Sequence, residues 1–357
     1  MRNPNAQMPT PKSQGLALRL CAAVIAASLM TVSLSAQTTQ AAMQQDPACQ
    51  SLTPVSAGGP APKGADTVVV RWLSHMNYEL AYRGNVFLLD AYYDQAPRRP
   101  SIGVAVGDLN KVNAIFVSHA HFDHVSDAPS IAKQTGATIV GAAVGNDAYL
   151  KRSAVPAKQF KAVKNADVLH YPGVVVEAVS GLHNSRQALG IPADYVEKQQ
   201  AAIQAAALQQ PFTEAEQKRD ADVRRRGDDD PRIATEGVIN YLFTFGNDFK
   251  VMFVGSHGGI TDAQRQLAQR VPSVDVALLP YLFFDAGIPA LVDLVKLLKP
   301  ATVFLGNQDG VGTMGWASNY PPALAIRDVS AKTRTMDVIY RTPVCFNTAS
   351  KELVIGW

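Results

Sequence analysis

The amino-acid sequence predicts an α/β protein, and three observations support that class. Short apolar runs rich in β-branched residues alternate with helical patterns along most of the chain. The chain has 357 residues, 47% of them hydrophobic, which suffices for one large domain with a buried core. A cluster of histidines directly follows one predicted strand, at the carboxyl end where α/β proteins place their chemistry.

Residues 1–36 are predicted to be a secretory signal peptide. Arg2, Lys12 and Arg19 precede an apolar stretch, residues 20–36, that ends in small residues. The alternative is an uncleaved membrane anchor, but the apolar stretch is shorter than the ~20 residues that a spanning helix needs. We therefore expect a periplasmic or secreted protein with no stable membrane span after cleavage.

Charge gives no indication of a nucleic-acid partner. The chain has 33 basic and 30 acidic residues, a formal net charge of +3. The signal peptide contributes three basic residues and no acidic ones, so 33 − 3 = 30 basic residues balance the 30 acidic ones in the remainder. A small-molecule substrate is the expected partner, and the oligomeric state stays open.

Residues 37–65 are predicted to form a flexible N-terminal arm, because they are rich in Ala, Gln, Pro, Ser and Gly. Cys21 is removed with the signal peptide, which leaves Cys49 in the arm and Cys345 near the C-terminus. An oxidising compartment would allow these two to pair. Two unpaired thiols are the alternative.

The folded domain is predicted to begin at residue 66 and to continue to the C-terminus. Its predicted strands are residues 67–73, 85–90, 112–117, 138–141, 174–179, 238–245, 249–254, 274–279, 301–305, 337–340 and 352–355. Its predicted helices include residues 125–134, 146–152, 261–270 and 289–298.

Residues 185–235 interrupt this alternation and are predicted to be a helical insertion on the rim of the site. A helical pattern over 194–210 stops at Pro211, and a capping box at 213–216 opens a second helix. That helix runs into three arginines, 224–226. They could meet an anionic substrate or lipid headgroups, but a solvated face balanced by the acidic run at 228–230 is the commoner explanation.

The strongest functional signal is the pattern H-x-H-x-D-H, formed by His119, His121, Asp123 and His124 directly after the strand predicted at 112–117. Alternate residues of an extended segment point the same way, so His119 and His121 are expected to reach one metal together. Asp123 and His124 lie just beyond and are expected to reach a second metal. Imidazole and carboxylate ligands suit zinc, and they also suit iron or manganese.

Two single histidines follow other predicted strands. His183 comes after the strand at 174–179 and is the best candidate for a third ligand of the first metal, since catalytic zinc normally has three protein ligands. His75 ends the first strand and could line the pocket or be structural.

This combination resembles the metallo-β-lactamase fold superfamily from residue 66 to the C-terminus. The H-x-H-x-D-H motif is complete, and the stretches at 72–75 and 87–90 resemble a branch that includes ascorbate-6-phosphate lactonase-like and phospholipase-D-like hydrolases. The resemblance implies an αββα sandwich of two mixed β-sheets flanked by helices, here with a helical insertion. It also implies metals at one edge of the sandwich.

The chain departs from the superfamily pattern at two ligand positions. Ser256 stands where an aspartate usually bridges the metals, and Asn307 stands where a final histidine usually binds the second metal. His257 or Asp309 could substitute for them. One zinc site is therefore predicted as firm, with a second in question.

The resemblance implies an exported metal-dependent hydrolase. A zinc-activated water or hydroxide would attack an ester, lactone, phosphodiester or amide bond, and Asp123 would orient this nucleophile or carry its proton. Two alternatives stay open. One is a non-catalytic metal- or ligand-binding protein on the same fold, motivated by Ser256 and Asn307, and the other is a β-lactamase.

Overall fold

The computed structural model of the protein describes residues 41–185, 189–192, 194–195, 197–198, 211–246, 248–281, 284–309 and 318–355. The signal peptide and most of the helix predicted at 194–210 lie outside these residues and stay predictions. No helix within the described ranges is long and apolar enough to cross a membrane.

Fifteen strands in the described part of the chain form two mixed sheets. They are β1 (Thr67–Ser74), β2 (Asn77–Tyr82), β3 (Asn85–Leu89), β4 (Ala114–Phe116), β5 (Thr138–Gly141), β6 (Phe160–Ala162), β7 (Val168–Tyr171), β8 (Val174–Ser180), β9 (Ile239–Phe245), β10 (Phe249–Phe253), β11 (Val276–Pro280), β12 (Thr302–Gly306), β13 (Arg334–Met336), β14 (Pro343–Asn347) and β15 (Leu353–Ile355). One sheet has the order β15-β14-β1-β2-β3-β4-β5-β6, and the other has the order β13-β12-β11-β10-β9-β8-β7. Each sheet combines parallel and antiparallel pairs.

The main helices flank the two sheets or lie in the insertion at 185–235. They are α1 (Phe122–Val125), α2 (Ala128–Thr135), α3 (Ala143–Arg152), α4 (Glu214–Arg224), α5 (Ile233–Glu236), α6 (Asp262–Arg270), α7 (Ile288–Leu298) and α8 (Tyr320–Val329). Apolar residues of α1, α2 and α3 pack on the outer face of the first sheet, and those of α6, α7 and α8 pack on the second. The expected αββα sandwich of two mixed sheets is confirmed.

Aromatic side chains fill the space between the sheets. Phe116 of β4 contacts Phe243 of β9 with ring centroids 4.9 Å apart, and Tyr78 of β2 contacts Phe253 of β10 at 6.4 Å. Their burial supplies much of the hydrophobic stabilisation. Tyr241 also donates a hydrogen bond across the core to the carbonyl of Val117 at 2.9 Å, which fixes the end of the strand that carries the metal motif.

The described part of the N-terminal arm packs on the domain, in contrast to the flexible arm that its composition predicts. Cys49 and Cys345 form a disulfide. Arg71 and Glu79 are a fully buried ion pair, 3.2 Å apart, and both bind arm backbone. The Glu79 carboxylate accepts from the amides of residues 55 and 56, and Arg71 donates to the carbonyls of residues 48 and 51. Composition indicates low intrinsic order, but it does not detect such tertiary contacts.

Two other elements differ from prediction. The helix expected at 125–134 is divided into α1 and α2, because Pro129 suits the first turn of a helix but not its interior. Residues 337–340 do not form the expected edge strand. Tyr340 packs on Trp72 with ring centroids 4.8 Å apart, and Thr342 closes a turn on the carbonyl of Ile339. Near the C-terminus the edge strands are β13 and β15, and β15 agrees with the strand predicted at 352–355.

Candidate metal centre

The H-x-H-x-D-H motif occupies the connection between β4 and α1. His119 lies in the connection after β4, and His121 is the N-cap of α1 with extended backbone angles. Asp123 and His124 lie within the first turn of that helix. The change from extended chain to helix therefore directs the first two side chains one way and the last two another, as the motif spacing predicts.

His119, His121 and His183 converge in one group, which we call the first triad. Each offers a ring nitrogen, and these atoms lie within 4.8 Å of one another. The ring of His183 is 4.8 Å from that of His119 and 4.4 Å from that of His121, measured between centroids. The convergence expected of these three histidines is present, and three nitrogen donors at this spacing fit a catalytic zinc site.

His75, Asp123 and His124 form a second group, the second triad, whose candidate ligand atoms also lie within 4.8 Å of one another. The motif predicts only Asp123 and His124 as ligands of the second metal, whereas His75 is predicted to line the pocket or to be structural. The available signal was the position of His75 directly after β1, at the sheet edge that carries the motif. The second triad therefore has a third candidate ligand where two were expected.

The two triads adjoin each other. The ring centroids of His119 in the first triad and His124 in the second are 3.9 Å apart. Asp123 Oδ2 lies 3.1 Å from His75 Nε2 and 3.8 Å from His124 Nε2. Two ions held by these groups would therefore be neighbours, as in dinuclear hydrolases.

Several buried ring nitrogens have no hydrogen-bond partner among the described residues. They include Nε2 of His119 and both ring nitrogens of His75. His75 Nε2 is close to Asp123 Oδ2, but the angle is not that of a hydrogen bond. Buried polar atoms are costly to leave unpaired, so this arrangement fits a group that binds metal.

The electrostatics keep the first triad neutral. Burial, together with the neighbouring histidines, holds the pKa of His119 well below its usual value. Burial likewise lowers the pKa of His121 and, with the nearby histidines, lowers the pKa of His183 to about 4. Neutral imidazole is the form that binds a metal, so these side chains need not lose a proton first at neutral pH.

Asp123 remains ionised in this setting. Burial alone would raise its pKa, but His124, His75 and His121 around the carboxylate hold the pKa well below the usual range. Asp123 therefore presents a full negative charge to the second triad, which contains no other carboxylate.

Asp90 orients His124 from behind. Its Oδ2 lies 2.6 Å from His124 Nδ1, and it also accepts hydrogen bonds from the amide and hydroxyl of Ser118. A carboxylate on Nδ1 leaves Nε2 free as a ligand, the usual arrangement behind metal-bound histidines. Although burial acts to lower the pKa of His124, Asp90 and Asp123 raise it overall.

The residues that replace the usual ligands have other contacts. Ser256 Oγ accepts hydrogen bonds from the backbone and side-chain amides of Asn184, at 3.0 and 3.2 Å. Asn307 has a left-handed φ of 63° and donates its amide to the carbonyl of His75 at 3.0 Å. Ser256 thus holds the His183 loop, and Asn307 holds the His75 peptide.

Neither suggested substitute belongs to a triad formed by described residues. His257 is buried, and burial lowers its pKa to about 4, with Ala290 and Asp293 of α7 as the neighbours that oppose this shift. Asp309 lies behind His75 rather than beside His124.

The described part of the insertion packs on the motif loop. The amide of Asp228 donates to the carbonyl of Ala120 at 2.8 Å, and Thr213 forms the predicted capping box with Glu216 at the start of α4.

The three arginines at 224–226 are paired, but not with the acidic run at 228–230. Their partners are Asp220 for Arg224, Asp222 for Arg225, and Asp94 and Asp127 for Arg226. These carboxylates lie in α4, in the loop after β3 and at the start of α2, and they were not apparent from the linear pattern.

Comparisons with known proteins agree with this architecture. A family model described as a beta-lactamase superfamily domain matches residues 85–305. A metal-dependent hydrolase of Cupriavidus necator is 27% identical over 241 residues, which cover 65% of this chain and 71% of that protein. A metal-dependent hydrolase of Anaeromyxobacter dehalogenans is 42% identical over 71 residues, only 20% of this chain and 26% of that protein.

A similar solved structure is that of Igni18, a metallo hydrolase of Ignicoccus hospitalis. It has a TM-score of 0.53 and 15% identity, and the match covers 78% of this chain and 98% of that one. This likeness confirms the fold. Together with the named relatives, the family match supports the expected enzyme class, a metal-dependent hydrolase, and the chain therefore belongs to the beta-lactamase superfamily.

Proposed function

We propose that the protein is an exported zinc-dependent hydrolase that holds one ion in each triad and cleaves an ester, lactone, phosphodiester or amide bond. The observation that carries the proposal is the presence of two adjoining groups, each with three ligand atoms within 4.8 Å of one another. Three protein ligands with an open position are typical of catalytic zinc.

Zinc bound at the triads would supply a Lewis acid and lower the pKa of water from about 15.7 to about 7. The protein contributes neutral imidazoles in the first triad and an ionised carboxylate in the second. Because its pKa is far below neutral, Asp123 is a weak base. Its role is then to accept a hydrogen bond from the attacking water and orient it, and proton storage is the less suitable role.

A non-catalytic binding protein on the same fold is the second candidate. It is favoured by the absence of a carboxylate at position 256, where Ser256 Oγ faces Asn184. An uncharged side chain there leaves two adjacent dications with less anionic compensation. Such a protein would bind metal but turn over no substrate.

Export is proposed on two grounds. The first is the signal-like segment at 1–36. The second is the disulfide between Cys49 and Cys345, since disulfides persist in oxidising compartments. Mass spectrometry of protein from cell fractions tests this: we expect a mature N-terminus near residue 37 in the periplasm or medium, and an intact N-terminus in the cytosol would contradict it.

The catalytic proposal is tested with purified protein, stripped of metal and then reloaded with zinc. A panel of esters, lactones, phosphodiesters and amides, with a β-lactam included, should reveal turnover that requires metal. His121→Ala should lose both zinc from the first triad and turnover. His170→Ala is the matched control, because His170 is an exposed histidine on β7. Full zinc binding without turnover of any class would favour the binding protein.

A further inference from the structure

Asp309 is a buried carboxylate directly behind His75. It is 1% exposed. Its Oδ2 accepts hydrogen bonds from the backbone amide of His75 at 2.8 Å and from the hydroxyl of Tyr340 at 2.6 Å. These two bonds fix the carboxylate relative to the end of β1.

The second carboxylate oxygen faces the imidazole. Asp309 Oδ1 lies 4.0 Å from His75 Nδ1, and both atoms are buried without a hydrogen-bond partner in the described part of the chain. A small rotation of either side chain would bring them to hydrogen-bond distance. The opposite ring nitrogen, Nε2, points to Asp123 at 3.1 Å.

We propose that Asp309 is a positioning residue that makes His75 the third ligand of the second triad. His75 then takes the place of the histidine that the superfamily pattern has at position 307. The inference rests on the proposed function, because it assumes that the second triad holds a metal.

The chemistry follows from the two tautomers of histidine. When Nδ1–H donates to a carboxylate, the lone pair of Nε2 is free for a metal, and the carboxylate makes the imidazole a stronger donor. Asp90 has the same relation to His124. In the second triad, both histidines would thus be oriented by buried carboxylates.

The backbone at His75 supports this role. Its φ is 44°, a left-handed conformation that non-glycine residues seldom adopt and that a folded protein must hold in place. The His75 carbonyl accepts hydrogen bonds from the Trp72 indole at 2.9 Å and from the Asn307 amide at 3.0 Å. Position 307 therefore contributes a backbone contact that holds the substitute ligand.

Asp309→Asn tests the proposal with little change of shape. The amide oxygen can still accept from the His75 amide and from Tyr340. The amide NH₂ then faces Nδ1 and favours the tautomer with a proton on Nε2, which cannot bind a metal. We expect the affinity of the second zinc to fall about 10–100-fold, while the first zinc binds as in the wild type.

The measurement is a zinc titration of the metal-free full chain against a chromogenic chelator. The visible spectrum of the second equivalent of Co²⁺ provides a readout of the ligand set, and we expect that spectrum to change in Asp309→Asn. Asp46→Asn is the matched control, because Asp46 is also buried and accepts three backbone amides, but in the N-terminal arm. It should leave both zinc affinities unchanged.

His75→Ala and the double variant, which combines His75→Ala with Asp309→Asn, complete a double-mutant cycle. If Asp309 acts through His75, the double variant should bind the second zinc no more weakly than His75→Ala alone. If Asp309→Asn does not fold, His75→Ala provides the test. A second zinc bound by His75→Ala with wild-type affinity would overturn the proposal.

The possible failures are distinguishable. Two tight sites in both the wild type and Asp309→Asn would overturn the role of Asp309 and leave the proposed function intact. No zinc binding in the wild type would overturn both. Loss of the second zinc with an unchanged Co²⁺ spectrum at equal occupancy would also contradict positioning through the His75 ring.

Discussion

Gly258→Ala should displace His183 and weaken zinc binding at the first triad. The loop after β10 approaches the His183 loop so closely that a Cβ on Gly258 would lie 2.0 Å from the His183 carbonyl oxygen and 2.8 Å from its carbonyl carbon. The Gly258 amide also donates to the carbonyl of Leu182 at 2.9 Å. The contacts at position 258 thus fix the position of the His183 backbone.

The size of the effect follows from these distances. Non-bonded heavy atoms prefer separations of about 3.5–4.0 Å, so the two backbones must move apart by more than about 1 Å. Zinc–nitrogen bonds are about 2.0–2.1 Å long, and a metal site tolerates about 0.2 Å of deviation. We therefore expect the affinity for the first zinc to fall at least about 10-fold, a cost of about 1.4 kcal/mol. Overpacking should also lower the free energy of unfolding by about 1–3 kcal/mol.

The assay is a competitive zinc titration of Gly258→Ala beside His183→Ala, with urea denaturation of the metal-free proteins. Gly107→Ala is the control, because nothing lies within 4 Å of a Cβ added there and its backbone is not left-handed. If Gly258→Ala binds the first zinc with wild-type affinity, His183 either is not held by this contact or is not a ligand.

Three further predictions concern stability. Arg71→Met leaves the Glu79 carboxylate buried without its cation, so urea denaturation should show a loss of about 3–5 kcal/mol, and equal stability would contradict a tightly packed arm. Reduction of the disulfide, which spans 296 residues of sequence, should cost about 2–5 kcal/mol, and Cys345→Ser should make stability insensitive to reductant. Because burial lowers the pKa of His257 to about 4, the unfolded chain binds this proton at higher pH than the folded one. His257 should therefore contribute a fall of about 3 kcal/mol in the free energy of unfolding as the pH drops from about 6.5 to 4, and His257→Gln should reduce the dependence of stability on pH by that contribution.

The sequence predicted the parts of the fold that depend on local patterns. Strands such as β5 were apparent from short apolar runs rich in β-branched residues, and the start of α4 was apparent from a capping box. The H-x-H-x-D-H motif likewise places its own residues correctly, because one strand and one helical turn position all four side chains. His183 could be predicted from its position after a strand at the same edge.

The features that could not be predicted from the sequence depend on contacts between segments that are far apart along the chain. Asp309 is 234 residues from His75, and no local pattern indicates that a carboxylate there orients the histidine. The role of Ser256 is similar, because it becomes apparent only when the Asn184 amides are seen on its hydroxyl. Ser256 and Asn307, which stand at two ligand positions of the superfamily pattern, contact the His183 loop and the His75 carbonyl instead.

Each triad should hold one metal, and an anomalous-difference map of zinc-loaded crystals would show this directly. We expect two peaks per chain, one among the ring nitrogens of His119, His121 and His183 and one among the side chains of His75, Asp123 and His124. The separation should be about 3.5–4 Å, as in dinuclear hydrolases. A single peak in the first triad would show that the second triad holds no metal, and a second peak without His75 among its ligands would rule out His75 as a ligand.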